Sequence, residues 1–414
     1  QCGGGGYQGG GGGYGGSRGG SSFGGGGRGR GGYGGRSKKQ PNSQGFHGDE
    51  RPNPRVEQDL FEQEHQQTAG INFDKYDDIP VEVSEGCPDP YLEFNNECVG
   101  ESLMKNLVLS KYHKPTPVQK YSIPIGLNGG DMMACAQTGS GKTAGFLFPV
   151  IAMLLRDGSL PPPENAGYGN ASYISALVLA PTRELASQIY DEANKFCYCT
   201  GVKPYCVYGG GPNIKTQQDQ LDMGVDLLVA TPGRLLDLID RGPVKLDCLR
   251  FLVLDEADRM LDMGFEAQIR RIVKEVGMNP DRQTFMFSAT FPNEIQRLAG
   301  DFMKDYIFLS VGRVGAASKD VTQSVEWVEQ NMKFDYVIDF LQRVPEGLVL
   351  IFCETKRGAN LLEEVLCREN FPASSIHGDK SQREREDALR LFKTGRTPIL
   401  VATDVAARGL DIPN

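Results

Sequence analysis

Acidic residues are missing from the start of this 414-residue chain. Up to Gly48 there is no aspartate or glutamate, so that stretch carries +6 and the remainder −15 of a net −9. Two parts of opposite sign are expected to meet different partners. No run approaches the ~18 consecutive apolar residues of a membrane span, so no membrane partner is expected. The ten cysteines include no C-x-x-C pair, which argues against a zinc site or a disulfide framework and leaves reduced, mostly buried thiols. Histidine occurs only at His47, His65, His113 and His377, too scattered for a metal cluster. The opening Gln1-Cys2-Gly3 lacks both Met and an apolar leader, so the chain reads as a fragment of an intracellular protein.

What is present is unevenly spread. Residues 1–40 hold 22 of the 53 glycines, interrupted by Tyr7, Tyr14, Phe23 and Tyr33 and by Arg18, Arg28, Arg30 and Arg36. So little apolar surface cannot offset the entropy of ordering a backbone, and this segment is expected to be a disordered tail. A plain flexible linker is one reading of it. Guanidinium planes interleaved with rings favour weak contact with unpaired RNA bases. Residues 41–90 are polar and punctuated by proline, and read as a linker with a short helix near 56–63.

Beyond that the pattern turns to strand, turn and helix, repeated. Apolar runs of strand length occur at 132–136, 176–180, 227–230, 251–254 and 284–287, with helical periodicity between them, as in 184–196 and 265–276. The series recurs at 325–328, 348–352, 374–376 and 399–402. Continuous apolar strands joined by helices predict parallel sheets covered on both faces. Two α/β domains are expected, at 91–312 and 325–414, with a joint at 313–324. The second is shorter than such a domain needs, so the sequence is expected to end inside it.

Ala136-Gln137-Thr138-Gly139-Ser140-Gly141-Lys142-Thr143 follows a predicted strand and opens a helix. This is the phosphate-loop pattern, with alanine at the usual first glycine. Gly139 and Gly141 let backbone N–H groups wrap phosphates, Lys142 supplies a point charge, and the Thr143 hydroxyl suits Mg²⁺. A carboxylate from a neighbouring strand should complete the metal site. Asp255-Glu256-Ala257-Asp258 stands at the end of 251–254, so Asp255 is the candidate metal ligand and Glu256 the candidate base for the attacking water.

Phosphate loop plus Asp-Glu-Ala-Asp, followed by Ser288-Ala289-Thr290, resembles the DEAD-box RNA helicases. The family's other motifs follow in order: Pro115-Thr116-Pro117-Val118-Gln119, Pro181-Thr182-Arg183-Glu184-Leu185-Ala186, Gly209-Gly210, Thr231-Pro232-Gly233-Arg234, Gln382 with Arg385, and Ala402-Thr403-Asp404 leading to Arg408-Gly409-Leu410-Asp411. The segments Gly70-Ile71-Asn72-Phe73-Asp74-Lys75-Tyr76 and Arg259-Met260-Leu261-Asp262-Met263-Gly264-Phe265 are similar to the Vasa branch and its near relatives in translation initiation.

The resemblance implies two tandem RecA-like domains, ATP and Mg²⁺ as cofactors, and unwinding of RNA duplexes or remodelling of RNA–protein complexes driven by ATP hydrolysis. It implies that Gln119 reads adenine, that Tyr112 stacks on the base, and that Phe94 supports that loop. Arg408 and Asp411 are implied to act across the cleft, and Ser288 and Thr290 to link hydrolysis to strand separation. Hydroxyls there are placed to hydrogen-bond Asp258. RNA contacts are implied for Pro181, Thr182, Arg183, Gly209, Gly210, Thr231, Gly233 and Arg234 in the first domain. In the second they fall on Thr355, Lys356, Arg357, His377, Gly378, Gln382, Arg385 and Thr403. Alone, His377 reads as a core or capping histidine.

The resemblance implies a last arginine-rich motif, expected past Asn414, and such arginines contribute about 10³ to 10⁵ in rate in related NTPases, so poor hydrolysis is expected of the chain as written. Translation or ribonucleoprotein factors, in the germline or in general translation, are the expected protein partners. The expected location is the cytoplasm, in ribonucleoprotein granules, or shuttling to the nucleus. Two other classes remain open: an RNA-binding, condensate-forming protein driven by the tail, and another P-loop NTPase. The pairing of Gln119 with Tyr112 argues against the second.

Overall fold

The computed structural model describes residues 40–61, 79–137, 139–164, 171–210, 213–312, 321–343 and 347–403. Thr138, Arg408 and Asp411, and the expected tail and joint at 1–39 and 313–320, lie outside these.

The strands are β1 (Val81–Val83), β2 (Met132–Ala136), β3 (Ser172–Tyr173), β4 (Ala176–Leu179), β5 (Pro204–Val207), β6 (Leu227–Ala230), β7 (Val244–Lys245), β8 (Phe251–Leu254), β9 (Gln283–Ser288), β10 (Ile307–Val311), β11 (Val349–Cys353), β12 (Ala373–Ile376) and β13 (Ile399–Thr403). Eight form one sheet in the order β1-β10-β2-β9-β8-β4-β6-β5. Every pairing in it is parallel except the β1–β10 edge.

The apolar runs explain this architecture. Along β2, Met132, Ala134 and Ala136 enter one core and Met133 and Cys135 the other. Ala176 and Val178 of β4 join the first core and Leu177 and Leu179 the second. A strand apolar at every position therefore has both faces buried, as the sequence pattern requires. The helices Lys142–Asp157 and Arg183–Phe196 cover one face, while Pro232–Arg241, Glu266–Lys274 and Asn293–Phe302 cover the other. Each fully buried Leu or Phe contributes ~1.5–3 kcal/mol, so both layers are held chiefly by apolar burial. A second sheet, β11-β13-β12, is wholly parallel and carries its own two small cores.

Two expectations change. Residues 325–328 form no strand, and Val325 and Trp327 are 97% and 84% exposed. A strand needs a partner edge, and among the described residues β11 pairs only with β13.

The stretch expected as a linker at 41–90 packs on the first domain in part. Phe46 is buried, and the His47 N–H and Nδ1 bond the buried Asp226 carboxylate at 2.9 and 2.7 Å. The helix Pro54–Phe61 sets Phe61 edge-on to Tyr198, and β1 extends the main sheet. Polar composition concealed this, because the anchors are a few isolated residues.

Candidate functional site

Parallel strands deliver their C-terminal ends to one edge of a sheet. At this edge the strand order fixes the motif order. The phosphate loop follows β2, Ser288-Ala289-Thr290 closes β9, Asp255 follows β8, Pro181 to Glu184 follow β4, Thr231 to Arg234 follow β6, and Gly209-Gly210 follow β5. Residues far apart in sequence thus become neighbours across ~5 Å strand spacings.

The phosphate loop turns on two left-handed glycines, Gly139 with φ 82° and Gly141 with φ 85°. A Cβ on Gly141 would lie 2.5 Å from the Gln119 amide nitrogen. The helix Lys142–Asp157 starts there and points its unpaired N–H groups into the loop. Lys142 is buried and donates to the Ala136 carbonyl at 3.1 Å, and the Ser140 hydroxyl donates to the Gln137 carbonyl at 2.8 Å.

Asp255 is 2% exposed. Burial pushes its carboxyl up to about 6, opposed by Lys142 and reinforced by Glu256 and Asp258. A cation would relieve this crowded negative charge. The hydroxyl of Thr143 and the carboxylate of Asp255 are the hard oxygen donors Mg²⁺ prefers, so the residues fit a magnesium nucleotide. Glu256 is held at φ 52°, a left-handed conformation that costs a non-glycine residue ~1–2 kcal/mol. Its N–H donates to Asp255 Oδ1 at 3.0 Å, and its carboxylate pairs with Arg259.

Asp258 extends the contact to β9. Its Oδ2 accepts from the Thr290 N–H at 3.0 Å and from the Thr290 hydroxyl at 2.8 Å, the bond expected from the sequence. The Thr290 N–H also lies 3.4 Å from the Ser288 hydroxyl oxygen.

Gln119 makes two contacts at the phosphate loop. It is 1% exposed, its Oε1 accepts from the Thr116 N–H at 3.0 Å, and its Nε2 donates to the Gly141 carbonyl at 3.0 Å. Its amide therefore braces the phosphate loop and keeps one N–H and one oxygen lone pair beyond these two bonds. Tyr112 follows Lys111, which bends the chain at φ 61°. The Tyr112 ring is half-buried and meets Phe94, Phe148 and Phe196 edge-on at 6.5, 5.4 and 5.6 Å.

The other motifs converge on a cleft of about 710 Å³ between the two sheets. Pro181, Thr182, Arg183, Gly209, Thr231, Gly233 and Arg234 line it from the first domain, and Lys356, Gly378, Arg385 and Thr403 from the second. Gly210, Thr355, Arg357, His377 and Gln382 are not in the lining. Thr355 caps the helix Lys356–Arg368. Gln382 reaches across to accept from Arg183 Nη1 at 3.0 Å.

His377 is 2% exposed; its Nε2–H donates to Asn360 Oδ1 at 2.8 Å and its Nδ1 accepts from the Asp379 N–H at 3.3 Å. Burial, then Lys380, lowers its pKa, which favours a neutral imidazole bracing the loop.

Sequence reasoning missed the Glu184–Arg385 ion pair at 2.7 Å, whose side chains are 7% and 13% exposed. Glu184 lies within a recognised motif, yet nothing local announces a partner 201 positions away. It also missed Met263 and Phe265, which line the cleft from a segment read only for its branch resemblance. Arg183, Arg234 and Arg385 share the cleft with Glu184, and desolvation with the neighbouring Arg385 lowers the Arg183 pKa. This concentration of guanidinium groups suits an anionic backbone.

Comparison with known proteins agrees with this geometry. The family described as DEAD/DEAH box helicase matches residues 116–298, and the one described as helicase conserved C-terminal domain matches residues 332–414. The yeast DEAD-box splicing factor Prp28 is 31% identical over 82% of this chain and 77% of that one, with a TM-score of 0.53. A Saccharomyces cerevisiae Dbp5 variant, solved bound to a Gle1 variant and IP6, is 29% identical over 79% of this chain and 78% of that one, with a TM-score of 0.59.

Proposed function

Because this chain belongs to the DEAD/DEAH box helicase family and is an ATP-dependent RNA helicase, we propose that ATP and RNA occupy adjacent stretches of the one sheet edge. Asp258 and Thr290 then form the contact between them. The bond from the Thr290 hydroxyl to Asp258 carries this reading, since it joins the strand end after β8 to the strand end after β9.

Lys142, the loop N–H groups and the start of the helix Lys142–Asp157 hold the phosphates, and Thr143 and Asp255 hold Mg²⁺. When bound, the magnesium nucleotide supplies an activated phosphoryl group for hydrolysis. Glu256 orients the attacking water and takes its proton, and Arg259 keeps that carboxylate aimed. Tyr112 gives the adenine a face to lie on, with Phe94 behind it. Gln119 braces Gly141 and reads adenine with its remaining donor and acceptor.

In the cleft, Arg183, Arg234, Lys356 and Arg385 and the backbone at Gly209, Gly233 and Gly378 hold RNA by its phosphates, which gives little sequence preference. Closing the two domains over a strand excludes its partner, and reopening follows hydrolysis.

The residues 70–76 and 259–265 support placement in the Vasa branch and its relatives in translation initiation, with function in cytoplasmic ribonucleoprotein granules. The likeness to Dbp5, solved with Gle1, supports a protein regulator as a further partner. The tail at 1–40 adds weak, salt-sensitive RNA contact to a body whose grip depends on ATP. Domain limits of 91–312 and 325–414 are part of the same proposal.

The test mixes the chain with Mg²⁺, ATP and a short RNA duplex. Glu256→Gln is expected to bind ATP and RNA together without separating strands, and Lys142→Ala to lose ATP binding. Strand separation by Glu256→Gln equal to the parent would overturn the role given to Glu256.

A further inference from the structure

The helix Arg183–Phe196 begins at the cleft, where Arg183 bonds Gln382 and Glu184 pairs with Arg385. Eight residues further along, about 12 Å at the α-helical rise, Glu192 faces the aromatic cluster. Its Oε2 accepts from the Tyr112 hydroxyl at 3.4 Å, and its Oε1 pairs with Lys195 at 2.7 Å. The side chains of Glu192 and Lys195 are only 13% and 19% exposed. The ring they reach is bounded by Phe94, Phe148 and Phe196, and its backbone is fixed by a bond from the Tyr112 N–H to the Leu107 carbonyl at 3.0 Å.

Apolar edge contacts alone leave a tyrosine free to tilt, because they are weak functions of angle. A carboxylate acceptor 3.4 Å from the hydroxyl adds a directional constraint, a long and therefore modest one. Burial, then the charge of Glu192, raises the Tyr112 pKa well above the usual phenol value, so the hydroxyl stays protonated and able to donate.

We propose that Glu192, steadied by Lys195, is a positioning residue that fixes the Tyr112 ring for adenine and thereby ties the adenine platform to the helix that opens at the RNA cleft. The proposal rests on the reading of Tyr112 as the adenine platform. Glu192 touches neither nucleotide nor RNA; it acts by removing ring orientations that adenine cannot use. A ring set by this bond is a better partner before the nucleotide arrives, which lowers the entropy lost on binding.

The test measures equilibrium binding to the whole chain of two probes, ATP with Mg²⁺ and inorganic tripolyphosphate with Mg²⁺. Tripolyphosphate reports the phosphate loop without a base. Glu192→Leu and Tyr112→Phe are each expected to weaken ATP by about three- to tenfold and leave tripolyphosphate within twofold. The double variant is expected to be no weaker than the weaker single variant, since both remove one bond. Glu192→Gln keeps an acceptor and is expected to stay within twofold of the parent for ATP. Equal loss of both probes in Glu192→Leu would mean general damage to the domain and would overturn the proposal. So would unchanged ATP affinity in Tyr112→Phe, a variant that keeps the ring and its packing. Tyr112→Ala separates the two readings. If it leaves ATP affinity unchanged, the adenine platform itself is wrong. If it weakens ATP while Tyr112→Phe and Glu192→Leu do not, the platform stands and the role of Glu192 falls.

Discussion

Replacing Arg385 with methionine tests whether the two domains are held over the cleft by charge. Arg385 reaches Glu184 at 2.7 Å, with side-chain exposures of 13% and 7%. Two unit charges ~4 Å apart at an effective dielectric of about 20 attract by ~4 kcal/mol. Desolvation cancels much of this, and removing one partner of a buried pair costs ~3–5 kcal/mol because the other charge is stranded. The pair is a salt bridge without hydrogen-bond geometry at Glu184 Oε1, so the loss is expected below that range, at ~2–3 kcal/mol.

Arg385→Met should therefore weaken RNA binding about 30- to 150-fold. The assay is fluorescence anisotropy of a labelled single strand at fixed salt, with a non-hydrolysable ATP mimic present. Glu184→Gln supplies the second arm. It removes the clamp but leaves Arg183, Arg234 and Arg385 unopposed, so the salt dependence should steepen by up to ~0.7 in log–log slope for each phosphate gained. The double variant strands no carboxylate and should lose less than Arg385→Met alone. If Arg385→Met binds RNA as tightly as the parent, the ion pair contributes nothing across the domains and the reasoning fails.

Other consequences follow from single contacts. Thr290→Val removes the hydroxyl donor to Asp258, so strand separation should fall more than tenfold while nucleotide binding stays within threefold; parallel loss of both would contradict a linking role. Gly141→Ala meets both a φ of 85° and the Gln119 amide at 2.5 Å, and should cost ~2–3 kcal/mol and abolish ATP binding, whereas Gly139→Ala meets no atom within 4 Å and should cost ~1 kcal/mol. Thermal melts would order the two.

Asp255 sets a pH dependence. With its pKa raised from 3.8 to about 6, its contribution to stability without nucleotide is full below 3.8 and is lost as pH rises through about 6. Metal binding needs the carboxylate, so affinity for Mg²⁺ with ATP should fall up to tenfold per unit below about pH 6, and calorimetry near that pH should show proton release. Asp255→Asn should remove the proton release along with the metal.

The large sheet was legible because β2, β4, β6 and β8 are apolar at every position and β9 carries an apolar centre at Phe285, Met286 and Phe287, a pattern only two-sided burial explains. β10 escaped since no glycine or proline separates Ile307–Val311 from the helix before it, and β5 because it opens on Pro204. The failure at 325–328 has the opposite cause: composition allows a strand there, but pairing depends on an edge that sequence does not display.

Site residues were legible where chemistry is local, as in the glycines and Lys142 of the phosphate loop or the hydroxyl at Thr290. Their partners were not. Gln119 bonds Thr116 and Gly141, His377 bonds Asn360 and Asp379, and Glu184 pairs with Arg385, and each of those partners is chosen by the fold.

The most direct measurement is the affinity of the chain for single-stranded RNA with and without Mg²⁺ and a non-hydrolysable ATP mimic, alongside the affinity for the mimic with and without RNA. If both ligands act at neighbouring strand ends of one edge, each should strengthen the other by the same factor, at least tenfold, and Thr290→Val should shrink both factors together. RNA affinity indifferent to the nucleotide would contradict the account.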